Sequence, residues 1–452
     1  MGLSKSGADL WAGSGLNFTL VESDTAFFLG SPLGKGGVDE ALRVVRAELT
    51  EVGPRLCRLS SHEAFYLLKA SFGMPRLQYI LRCSPTFDST ELKFLSDGIR
   101  ELLSVVLNIQ LGDEAWAQAS LPVRWGGLGI RDVTQLAASS FLSSLAATAQ
   151  LVQRISPQAV QSGDSPLRNA AMISWSRMGG TSPPVGEEAG RQRSWDDPVC
   201  SAILNQLLTR ADRTSRARLL AVSSPDAGVW IHTLPIRNLG LCLSDREIRV
   251  AAGLRLGAQV VRQHTCVCLN TVDIYGHHGL ACRRSAGRHR RHAMANDVLV
   301  RAIRAVEVHA ELEPHLLLSD KGKRADGATL EPWSMGKTLV WDFTCPDTLA
   351  PSHVAQSSAQ AGSAAAVAEQ NKRLKYSELV SSNSIIFFPV SIETLGTWGA
   401  SARALCRDIG SRLAARTGDP RSHHFLIQRM AVAVQRGNAL PAAGTCPSQD
   451  MS

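Results

Sequence analysis

A chain of 452 residues, 44% hydrophobic and 19% charged, is long enough for two or three domains with cores of their own and reads as a multi-domain globular protein. Its 48 Lys and Arg against 40 Asp and Glu leave a net charge of +8, which favours a polyanionic partner. No run approaches the roughly 18 apolar residues of a membrane span, and the opening MGLSKSGADLW carries no apolar signal core, so the chain reads as intracellular.

In chain order, residues 27–34 form a strand-like apolar run closed by turn residues. Leu42, Val45, Leu49 and Val52 recur on one face and predict a helix over 39–52. Ser60 or Ser61 can cap a second helix over 63–72, ended by Gly73 and Pro75, and a third spans 89–111. Residues 121–130 are a Gly-rich loop without the Lys-Ser/Thr of a P-loop. Ser, Pro, Gly and Gln crowd 156–190, which predicts a linker and a domain boundary. Helices follow over 197–208, 214–222 and 245–256, then a basic amphipathic helix over 288–308. Strands at 316–318, 337–344 and 384–390, with a helix over 356–381, make the last part α/β. The expected partition is 1–150 helical, 151–262 linker and helical, 263–292 cysteine-rich and basic, 293–438 α/β, and 439–452 a flexible tail.

Ten cysteines are dispersed except for Cys266, Cys268 and Cys282, which with His277 are separated by one, eight and four residues. That spacing lets one knuckle wrap a tetrahedral Zn²⁺, with His278 as the alternative imidazole. Four protein ligands close such a site, so the metal would be structural. Between Arg283 and Arg304 lie seven arginines against the single acid Asp297, a local charge of +6. Arg283, Arg284, Arg288, Arg290 and Arg291 are the candidate contacts to nucleic-acid phosphates.

Asp342 ends the apolar run Thr338-Leu339-Val340-Trp341, where a carboxylate is unfavourable unless it binds something. With Asp326, which precedes the Gly327 turn, it can hold Mg²⁺ ions that activate water for phosphodiester hydrolysis. Ala365, Ala368, Lys372, Lys375 and Leu379 share a helix face, so both lysines are candidates for polarising water or the phosphate.

The succession of knuckle, basic helix, Lys323-Arg324-Ala325-Asp326-Gly327, Trp341-Asp342-Phe343-Thr344 and Lys372-Arg373-Leu374-Lys375-Tyr376 resembles the C-terminal part of non-LTR retrotransposon proteins that carry a restriction-like endonuclease. The resemblance implies a PD-(D/E)xK-like mixed sheet flanked by helices that nicks target DNA to prime reverse transcription. It makes Asp326 and Asp342 the Mg²⁺ carboxylates and Lys372 or Lys375 the catalytic lysine, with Lys375 favoured because Tyr376 completes the motif. Ala325 stands where the family has Pro, and Thr344 where a simple (D/E)xK motif has Lys.

Phe28-Leu29-Gly30-Ser31-Pro32-Leu33 and the Leu121–Gly129 loop resemble the end of a reverse transcriptase palm and its thumb. The aromatic-x-Asp-Asp signature of the polymerase is absent, and Asp196-Asp197 reads as a helix start, so DNA synthesis is not expected. The implied fold class is multi-domain α plus α/β: a helical thumb-like region, a small zinc knuckle and the C-terminal nuclease sheet. The implied partners are DNA and element RNA in the nucleus, with no membrane. The competing expectation is a nucleic-acid-binding module with a dead nuclease, or a non-functional relic.

Overall fold

Leu29 and Gly30 both adopt positive φ, 49° and 78°. The apolar run at 27–34 therefore turns back on itself as a hairpin, Phe27–Phe28 against Ser31–Pro32, in place of the single extended run expected. The computed structural model describes residues 22, 24–157, 165–266, 268–282, 284, 287–314, 324–377 and 384–444. Arg283, Lys323, Leu379, the strand expected at 316–318 and the end of the helix expected to reach 381 lie outside the described residues. The chain is a mixture of helices and small sheets, and no helix among the described residues is long and apolar enough to cross a membrane.

It divides into two compact units. One combines Met1–Arg58, Leu67–Leu103 and Arg131–Ile203. Its core gathers Phe141 and Leu142 from the helix Val133–Ile155 with Trp175 and Trp195, whose rings meet edge to face at 5.1 Å. Trp175 lies on the helix Pro166–Arg177, and its Nε1–H donates to Trp195 O at 2.8 Å. The segment expected as a linker is thus anchored from residue 165 onward. Asp196, expected to mark a helix start, lies inside the helix Gln192–Arg210, buried in a two-pronged pair with Arg131 at 2.6 and 2.7 Å.

The second unit combines Leu59–Tyr66, Ser104–Ile130 and Leu204–Ser452. In it the Gly-rich loop is fixed by buried Arg255, which donates to Gly127 O at 3.0 Å and Val123 O at 2.8 Å. Gly126 and Gly129 there sit at φ 86° and 76°, conformations that strain any other residue.

The same unit holds a four-stranded sheet and its helices: α1 Gly287–Arg304, β1 Ala310–Leu312, β2 Gly327–Ser334, β3 Lys337–Thr344, α2 Ser363–Lys375, β4 Ile385–Ser391, α3 Ala400–Thr417 and α4 Ser422–Gly444. Strand order follows the chain; β1, β2 and β3 pair antiparallel, and β3 and β4 pair parallel. A parallel neighbour needs a crossover, and α2 supplies it. Leu339, Trp341 and Phe343 point to one face, where they bury against Leu299 and Ile303 of α1, Leu405 and Ile409 of α3, and Met430 and Val434 of α4. Val340 points to the other, with Ala328, Phe387 and Tyr376.

Three further expectations do not hold. The helix expected over 356–381 is broken: Val354–Ser357 and α2 are separated by a turn in which Gly362 has φ 83°. The tail expected from 439 begins instead as the last turns of α4, which extends to Gly444. Arg291, expected at a phosphate, is only 2% exposed, and its Nη1 donates to Asn438 Oδ1 of α4 at 2.8 Å.

Candidate functional site

Two clusters in the second unit carry chemistry. In the first, strands His264–Thr265 and Thr271–Val272 form a hairpin whose tip bears Cys266 and Cys268. The tip closes through Cys266 N–H to Asn270 O at 2.9 Å and Leu269 N–H to Cys266 O at 2.8 Å. Gly276, at φ 72°, then starts the one-turn helix His277–Ala281, which Cys282 ends. Residues i and i+4 share a helix face, so His278 lies beside Cys282 and His277 does not.

The geometry follows that rule and corrects the expected ligand. Cys266, Cys268, His278 and Cys282 bring one ligand atom each to within 4.8 Å of one another and could hold a metal ion such as zinc. Cys266 Sγ and Cys282 Sγ are 3.8 Å apart, and Cys268 Sγ lies 3.2 Å from His278 Nε2. Two thiolates at about 2.3 Å from a tetrahedral Zn²⁺ stand roughly 3.8 Å apart, whereas a disulfide would need about 2.05 Å. Metal coordination fits; a disulfide does not. The Asn270 N–H draws the Cys268 thiol down to about 6, while burial pushes Cys266 up. His277 instead stacks on Tyr275 at 5.6 Å, with no hydrogen-bond partner for its buried Nε2 among the described residues.

The second cluster sits where β2 enters and β3 leaves the sheet. Gly327 pairs with Trp341, so one further residue brings Asp326 opposite Asp342. The approach requires glycine, because a Cβ at 327 would meet the Trp341 indole at 2.0 Å. Asp342 is 2% exposed, and Lys372 of α2 donates to its Oδ1 at 2.5 Å. Asp326 Oδ2 accepts Phe343 N–H at 2.6 Å and lies 2.8 Å from His292 Nε2 of α1. That hydrogen bond to Asp326 raises the His292 pKa. Burial and then Asp342 push the Tyr376 hydroxyl well up, keeping it a neutral donor to Arg324 O at 2.7 Å.

Asp326, Asp342 and Lys372 therefore converge. Lys375 bonds Tyr376 in place of an aspartate: its ammonium donates to Tyr376 Oη at 2.9 Å and covers that ring at 4.6 Å. The sequence favoured Lys375, but it is Lys372 that meets Asp342, with Tyr376 as its i, i+4 neighbour just past the end of α2. His292 escaped sequence reading; its signal was Asn296 one helical turn on, set among charges that all looked solvated.

A cavity of about 370 Å³ adjoins this cluster, lined in part by Arg288, His289, His292, Phe343 and Cys345. Arg284, Arg288 and Arg290 are exposed, as phosphate contacts must be. On the expectation that these arginines hold nucleic-acid phosphates, replacing Arg288 and Arg290 together by Ala should flatten the slope of log affinity for DNA against log salt by about two units, measured by anisotropy. Arg291→Ala should leave that slope unchanged and lower stability by about 1–3 kcal/mol in denaturant titration, because Asn438 loses its buried partner.

No family model matches this chain, and no curated protein matches it by sequence.

Proposed function

We propose that this chain is a retrotransposon-derived, Mg²⁺-dependent DNA endonuclease that nicks target DNA, with a structural zinc element beside the nuclease sheet. The observation that carries the reading is the meeting of Asp326, just before β2, with Asp342 of β3 and Lys372 of α2 at one end of a mixed sheet. A small sheet with both antiparallel and parallel pairs, flanked by helices, fits the mixed sheet that the PD-(D/E)xK resemblance implies. Support also comes from the exposed arginines of α1, which offer charge to a backbone beside that end.

The carboxylates are hard oxygen donors of the kind Mg²⁺ prefers, and Lys372 offsets the Asp342 charge. When bound there, Mg²⁺ would lower the pKa of a water and neutralise charge on the phosphate. Lys372, part-exposed above Asp342, would orient the scissile phosphate or the attacking water by donating a hydrogen bond. Arg288 and Arg290 would hold the flanking phosphates, which sets register without reading sequence.

The test is nicking of supercoiled plasmid by the purified chain. Nicked circles with Mg²⁺ or Mn²⁺ and none with EDTA are the expected result. Salt-sensitive DNA binding with no nicking under either metal would refute the enzyme and leave a binding module.

A further inference from the structure

Asp326 is not left to orient itself. Its Oδ2 receives Phe343 N–H from the backbone and faces His292 Nε2 at 2.8 Å. Behind His292 stands Asn296, whose Nδ2 lies 3.3 Å from His292 Nδ1 and whose Oδ1 accepts the Trp341 indole N–H at 3.0 Å. An indole nitrogen only donates, so the oxygen of Asn296 must face Trp341 and its NH₂ must face His292. His292 Nδ1 is then an acceptor, and the neutral ring carries its proton on Nε2, aimed at Asp326. Trp341 sets the direction of every bond in this line. It is fully buried and immediately precedes Asp342.

We propose that His292 is a positioning residue, held by the Trp341–Asn296–His292 line, that fixes Asp326 in the orientation in which it takes a divalent cation. The inference rests on the nuclease reading for the identity of that cation's site. With Oδ2 doubly hydrogen-bonded, Oδ1 is the oxygen left to the ligand, since no described residue bonds it. A partner behind a ligating group restricts its rotation and typically changes metal affinity or activity by 10–100-fold when removed. The His292 side chain is 44% exposed, so replacing it removes little packing from the core.

The experiment titrates Mn²⁺ into the zinc-loaded full chain without DNA, reading free Mn²⁺ by electron paramagnetic resonance, with Asp326→Asn marking the site. His292→Leu should weaken Mn²⁺ binding about tenfold or more. His292→Gln, which keeps a donor near the Nε2 position, should stay near the parent. Nicking should need correspondingly more Mn²⁺ in His292→Leu, with the rate at saturating Mn²⁺ close to parental; a merely structural role would lower that rate and leave the metal curve in place. Equal Mn²⁺ affinity in His292→Leu and parent overturns the proposal even if the parent nicks. A parent that fails to nick, yet loses Mn²⁺ affinity in both Asp326→Asn and His292→Leu, supports the positioning role and refutes the nuclease. No Mn²⁺ binding sensitive to Asp326→Asn overturns it as well.

Discussion

Asp342→Ala should abolish Mg²⁺-dependent nicking, by at least about a thousandfold, while salt-sensitive DNA binding stays near parental. Loss of one preorganised transition-state donor costs about 10²–10³-fold, and Asp342 would contribute more than a donor, being both cation ligand and anchor of Lys372. The fold should survive. Lys372 is already 25% exposed and can extend its ammonium to water once its partner is gone, so no charge is left stranded. Lys372→Ala should cost about 10²–10³-fold by the same reasoning. Lys375→Ala should nick near the parental rate, because Lys375 faces Tyr376. Initial rates of plasmid nicking, beside anisotropy for binding, separate these outcomes. Nicking that persists in both Asp326→Ala and Asp342→Ala would sink the assignment.

Zinc content should follow Cys266, Cys268, His278 and Cys282, at about one ion per chain, which elemental analysis reads directly. The double variant Cys268→Ser, Cys282→Ser and the single His278→Ala should lose the metal; His277→Ala should retain it. The expected effect is large. Structural zinc contributes about 10–16 kcal/mol to folding in small zinc domains, and the hairpin at 264–272 has only two residues in each strand to stand on. Amide hydrogen exchange should therefore accelerate across 264–282 after chelation. Full zinc in the double cysteine variant, or zinc lost in His277→Ala alone, would refute this ligand set.

Elements whose pattern coincided with their packing were legible in the sequence. The helix Asp245–Leu256 and strand β3 have the bounds expected, the first because Ser244 and Glu247 close a capping box and Gly257 takes a left-handed cap. Strand β2 was not legible, since Glu331 and Pro332 interrupt its pattern. They are tolerated because β1 pairs with Gly327–Thr329 and, past the Leu330 N–H bond to His309 O, no described strand lies along that side of β2. At the site, Asp342 was singled out from the end of an apolar run and Asp326 from the Gly327 turn it precedes, whereas the choice between adjacent histidines and between two lysines depended on where helices begin and end. A one-residue change of helix boundary rotates the facing side chain by about 100°. Arg291 looked like its neighbours because burial by α4 comes from a helix far along the chain.

That distance has a temporal meaning. Arg291 and Asn438 are 147 residues apart, and a Cβ at Gly437 would strike the Arg291 side chain at 2.6 Å, so α1 and α4 meet too closely for a makeshift partner. On a ribosome adding about 5–20 residues per second, α1 would wait about 7 to 30 s for the helix that covers it. The sheet assembled meanwhile lacks one wall of its core, including Met430 and Val434. A chain stopped before Ser422 should therefore emerge as a protease-sensitive intermediate, readable as limited proteolysis within α1 and β3, rather than as a shorter folded protein.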